Sequence, residues 1–132
     1  VIYPEDVVVG KNMNDKAQIK ELNEVANDDL ILDIGPKTID KIKNIIETSK
    51  TVLWNGPAGY FENPNFASGS IAIAKKIVSL KENIFSVVGG GDTISVLNKS
   101  ETINHFNFVS TAGGAFLEYL EGKEIPGIKS LN

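Results

Sequence analysis

Three glycine-rich segments hold the residues with the clearest chemical potential: Asn55-Gly56-Pro57-Ala58-Gly59, Gly89-Gly90-Gly91-Asp92-Thr93 and Ser110-Thr111-Ala112-Gly113-Gly114. Glycines at a helix start expose N–H groups that have no intrahelical partner, and the helix dipole adds partial positive charge there, so each segment suits an anion. Three such segments on one edge suit an extended polyphosphate better than one small anion. For any one of them, a tight strand-to-helix turn that needs glycine only for packing is the alternative. Asp92 follows three glycines, where its carboxylate either caps the helix or holds a hard cation such as Mg²⁺ bridging phosphate oxygens. Thr93 either adds a hydroxyl to the phosphates or favours the first helical turn. Glu62, just past the first segment, can accept hydrogen bonds from a ribose diol, although a solvated loop glutamate is the commoner fate. Trp54 reads as core, and His105, the only histidine, has no nearby partner for a catalytic pair.

Several other chemistries are excluded. The chain has no G-x-x-x-x-G-K-[ST], no G-x-S-x-G and no H-E-x-x-H, and Ile94 stands where G-x-G-x-x-G needs its third glycine. That substitution makes a dinucleotide oxidoreductase the weakest reading. With no cysteine, neither a disulfide scaffold nor a thiolate metal site is available.

The elements that must position these segments follow from periodicity. Leu30-Ile31-Leu32 is a short apolar run broken at Gly35-Pro36, and a helix follows to Thr48 with Ile39, Ile42, Ile45 and Ile46 along it. Pro36 stands near that helix start, where a missing N–H costs nothing. Apolar runs at Thr51–Trp54, Ile84–Val88 and Phe106–Val109 then each lead into one of the glycine segments. A helix is expected from about Phe66 to Leu80, with Ile71, Ala74, Ile77 and Val78 on one face. A short helical stretch should run through Leu97, and a last helix should carry Phe116, Leu117 and Leu120, with Gly122 just past its end. Gln18–Val25 reads only as a weak helix or irregular loop. Strand alternating with helix predicts an α/β fold, a parallel, Rossmann-like three-layer sheet whose post-strand turns share one edge, where ligands bind.

The 132 residues fit one domain, with 17 acidic side chains against 13 lysines, no arginine and a net charge of -4. An acidic balance argues against nucleic acid as partner. No apolar run approaches the ~18 residues of a membrane-spanning helix, so no membrane partner and a cytoplasmic location are expected.

Trp54 to Glu62, Gly89 to Thr93, Val109 to Ala115 and Leu120-Glu121-Gly122-Lys123 closely resemble phosphoglycerate kinase, in that family's order and spacing. Asp33-Ile34-Gly35-Pro36 and Ile125-Pro126-Gly127-Ile128 match as well, so the resemblance covers essentially the whole chain. It implies reversible phosphoryl transfer between 1,3-bisphosphoglycerate and ADP, giving ATP and 3-phosphoglycerate, with Mg²⁺ as cofactor. Residues 1–132 would be the C-terminal portion of the nucleotide-binding domain, the phosphoglycerate domain and the first strands of this domain being absent. By the same resemblance Gly56, Ala58 and Phe61 lie at the nucleoside, Glu62 at the ribose, Asp92 at the metal, and Gly90, Gly91 and Thr93 at the phosphates, with Asn55 also among the nucleotide-binding residues. The amides of Gly90 and Gly113 would face the transferring phosphoryl group as its catalytic contacts.

The chain departs from the family pattern in three places. Ala112 stands for a glycine, Phe116 for a serine, and Phe108 for the histidine that usually precedes Val-Ser-Thr. The absent portion would hold the basic cluster and arginine that position the acceptor, so the fragment alone is expected to be inactive, a nucleotide-binding or structural piece. A full-length enzyme is expected to be monomeric, whereas this piece is expected to self-associate through open strand edges.

Overall fold

The computed structural model describes residues 1–131. Its elements run β1 (Asp6–Gly10), β2 (Gln18–Glu21), β3 (Leu30–Ile34), α1 (Pro36–Thr48), β4 (Thr51–Asn55), α2 (Ser68–Ser79), β5 (Phe85–Gly89), α3 (Gly91–Lys99), β6 (Phe108–Ser110), α4 (Gly114–Leu120) and α5 (Pro126–Lys129). They form two sheets. β4, β5 and β6 are parallel neighbours in that order, as the alternation of strand and helix requires.

The second sheet is antiparallel, with order β2-β1-β3, and the sequence reading did not foresee it. β1 is its central strand and is buried along its whole length, so it lacks the alternation that marks a half-buried strand. β2, read from sequence as helix or loop, is a polar edge strand paired to β1 from Asp6↔Glu21 to Val9↔Gln18. The Leu30 run extends to Ile34 and joins this sheet, not the parallel one. Asp29 secures the hairpin: its carboxylate accepts from Lys11 Nζ at 2.8 Å, from Lys20 Nζ at 2.7 Å and from the Ala26 N–H. These contacts, the Lys11 bond foremost, hold its carboxyl far below the ordinary range.

The main core lies between one face of the parallel sheet and the helices. Trp54 and Val88 from the strands meet Ile46 of α1, Ala74 and Ile77 of α2, and Val96 and Leu97 of α3. α2 presents the face expected, with Ile71 and Val78 packed beside Ala74 and Ile77, although a 3₁₀ turn at Pro64–Phe66 delays its start to Ser68. On the other sheet face Leu53, Phe85 and Phe108 are exposed, and α4 leans against one end through Phe116 and Leu120.

Two buried aspartates join the antiparallel sheet to helix starts. Asp6 of β1 accepts from the Lys37 N–H at 3.0 Å, the Thr38 N–H at 2.9 Å and the Thr38 hydroxyl at 2.8 Å, capping α1 from across the fold. Burial penalises its charge, but these donors outweigh that and hold its carboxyl below the usual value. Asp33 of β3 does the corresponding thing for α2, accepting from the Gly69 N–H at 2.9 Å.

Candidate functional site

Parallel register brings the three glycine segments together. Asn55 at the end of β4 lies beside Gly89 at the end of β5, and Gly89 lies beside Ser110 at the end of β6, so the three chains leave the sheet at one level. Each turn then contains one glycine at positive φ: Gly56 at 104°, Gly90 at 95° and Gly113 at 50°. Gly90 and Gly113 are the N-cap positions of α3 and α4, and a side chain at either would be strained by conformation alone.

Specific contacts knit the turns. The Gly56 N–H donates to Thr93 Oγ1 at 2.8 Å, and the Trp54 indole donates to the Gly56 carbonyl at 2.7 Å. A Cβ on Gly89 would stand 2.8 Å from Asn55 Oδ1, so this glycine leaves the room in which the asparagine lies across the second turn. The Gly90 N–H donates to the Ser110 carbonyl at 3.1 Å, and a Cβ on Gly113 would lie 3.5 Å from the Gly90 Cα. The glycines divide by what they face. Gly89, Gly90 and Gly113 look onto neighbouring turns, whereas added side-chain atoms at Gly56, Gly91 or Gly114 would meet open space.

Asp92 lies in the first turn of α3 and is exposed, and no side chain caps that helix. Its carboxylate therefore stands free beside the turns. Among the described residues no three His, Cys, Asp or Glu side chains are grouped to hold a metal. One carboxylate suits Mg²⁺ that takes its remaining ligands from phosphate oxygens and water, and it does not suit a metal held by protein alone. Glu62 is exposed past the first turn, where a ribose ligand and plain solvent are both within its reach.

Other sequence-derived positions have different surroundings. Thr93 is fully buried and its hydroxyl serves Gly56. Phe61 is packed in the main core, with Lys99 Nζ 5.0 Å over its ring, while Ala58 remains half-buried at the surface. The Gly90 N–H is taken up by the extension of the sheet ladder to Ser110. Phe108 and Phe116, both unusual for the resemblance, meet as a tilted ring pair with centroids 6.1 Å apart, so the two departures are one packing feature. Ala112 is exposed, and its N–H bonds Ser110 Oγ at 3.2 Å.

One lining was missed from sequence. A groove of about 480 Å³ runs behind the first turn, lined by Met13, Ile31, Leu32, Ala58, Gly59 and Tyr60. Its far wall belongs to the antiparallel sheet, which no periodicity announces, so the first glycine segment is legible from sequence and the wall facing it is not.

Against this geometry, comparison with known proteins is consistent throughout. A family model for phosphoglycerate kinase matches residues 1–123. The phosphoglycerate kinase of Zymomonas mobilis is 46% identical over 132 residues, covering 97% of this chain and 33% of the relative. That of Buchnera aphidicola is 47% identical over 133 residues, covering 99% and 34%. Among solved structures, phosphoglycerate kinase from Coxiella burnetii superposes with a TM-score of 0.86 at 41% identity, over 96% of this chain and 33% of that one. The Pyrococcus horikoshii enzyme gives 0.80 at 31% identity over 97% and 31%. The chain thus spans about a third of the length of the relatives it matches, and with its glycine turns in register and the match running through all three of them, it belongs to the phosphoglycerate kinase family.

Proposed function

We propose that the chain supplies the nucleotide and Mg²⁺ half of a phosphoglycerate kinase site, for reversible phosphoryl transfer between 1,3-bisphosphoglycerate and ADP. The observation that carries this reading is the convergence of three glycine turns beside the exposed Asp92 in the first turn of α3. The nucleoside would lie along Asn55–Glu62, with the groove beside Ala58 for the base and Glu62 for the ribose. Phosphates would run past Gly90, Gly91 and the start of α3, and Asp92 would hold Mg²⁺, which supplies charge neutralisation when bound. Gly113 would border the transferring group. Main-chain dipoles fixed in this way need no reorganisation as charge develops.

Phosphoglycerate would be bound by the remainder of the enzyme, as part of glycolysis in the cytoplasm, and this chain alone would not turn over. Two measurements test the reading. Calorimetric titration of the chain with Mg-ADP should show saturable binding, and addition of the N-terminal two-thirds of the Zymomonas mobilis relative should produce ATP from 1,3-bisphosphoglycerate. Binding without complementation would favour a non-catalytic nucleotide-binding piece; the absence of both binding and complementation would defeat the assignment. In a complemented enzyme Glu62→Ala should raise the nucleotide KM by roughly tenfold with little change for phosphoglycerate, as loss of one hydrogen-bonded charged contact predicts. The reverse pattern in steady-state kinetics would remove Glu62 from the nucleoside site.

A further inference from the structure

Asp33 is a more costly group than its position requires. It lies at the end of β3, 2% exposed, with its Oδ2 accepting from the Gly69 N–H at 2.9 Å and its Oδ1 from the Ile34 N–H at 2.9 Å. A serine or asparagine would cap α2 equally well without burying a charge. Asp6, the other buried cap, is compensated by its donors, whereas burial leaves the Asp33 carboxyl raised. What distinguishes Asp33 is what it touches. A Cβ on Gly59 would stand 2.5 Å from Oδ1 and one on Gly69 would stand 2.4 Å away, so the carboxylate is wedged between the first glycine turn and the start of α2. The same stretch is fastened on both sides, by the Tyr60 N–H on the Leu32 carbonyl at 2.7 Å and the Ala58 N–H on Ser70 Oγ at 2.9 Å.

We propose that Asp33 is a positioning residue for the nucleoside-binding turn: wedged between Gly59 and Gly69, it holds residues 55–62 in place and thereby sets the affinity for Mg-nucleotide. This rests on the functional reading above, because it takes that turn to be where the nucleoside binds. Loops held in a binding-competent shape before the ligand arrives lose less on binding. Gly59→Ala should mimic the loss of the wedge, since its methyl group competes for the carboxylate's space.

The test compares Asp33→Ala, Asp33→Asn and Gly59→Ala with Asp6→Ala as a control that removes the analogous cap of α1. Amide hydrogen exchange on the nucleotide-free chain should show faster exchange across residues 58–61 and at Gly69 in Asp33→Ala and Gly59→Ala. Asp33→Asn, which keeps an oxygen for Gly69, should recover most of that protection. In titrations below the melting transition, Asp33→Ala should weaken Mg-ADP binding by on the order of tenfold, while Asp6→Ala lowers the melting temperature without changing affinity. Unchanged exchange over 58–61 in Asp33→Ala overturns the proposal, as does an equal affinity loss in Asp6→Ala. A parent chain that does not bind Mg-ADP defeats the nucleotide reading instead, and the exchange data then decide by themselves whether Asp33 positions the turn.

Discussion

Asp92→Asn is expected to weaken Mg-ADP binding roughly a hundredfold while leaving metal-free ADP within a few-fold of the parent. The magnitude is the upper end of what one lost charge-assisted contact costs, about 3 kcal/mol or roughly a hundredfold in affinity. The selectivity follows from the geometry: the carboxylate is exposed in the first turn of α3 and no side chain caps that helix, so its loss should cost little structure. Asparagine keeps the size and one oxygen but removes the charge a hard divalent cation requires. Titration in the presence of Mg²⁺ and of a chelator separates the two cases. An equal loss in both would mean that Asp92 serves the helix and not a metal.

Asp6→Ala should give the largest loss of stability, about 3 kcal/mol, because it leaves the amides of Lys37 and Thr38 without their acceptor and reduces the Thr38 hydroxyl to its bond with the Asp6 main-chain carbonyl. The effect has a pH signature. Since the folded state holds this carboxyl below its unfolded value, the stabilisation is present above the unfolded pKa and disappears as pH falls through the folded one. Urea unfolding of the parent and the variant should therefore differ most near neutrality and converge in acid. A constant difference across that range would assign the loss to packing.

The legible and hidden parts of the molecule differ in sequence distance. Each βα unit writes its own turn, so Gly56, Gly90 and Gly113 could be located from local pattern, and parallel pairing then had to bring their strand ends together. The antiparallel sheet was hidden because Val7, Val8 and Val9 form a run too short to classify and because β2 is polar. Asp6 and Asp33 were invisible as caps since their partners lie 31 to 36 residues away. Phe61 shows the converse: its motif marks it for the nucleoside, while the main core and Lys99 claim its ring.

The bare side of the parallel sheet governs how the chain behaves in a test tube. Leu53, Phe85 and Phe108 stand 47%, 53% and 51% exposed and adjoin Phe116 and Leu120. An oily surface of this kind is expected to recruit environment-sensitive dyes and to draw copies of the chain together. Thermal midpoints recorded by calorimetry should consequently climb with protein concentration, since pairing withdraws folded molecules from the unfolding equilibrium. Leu53→Lys should flatten that dependence and leave a species of single-chain mass in light scattering.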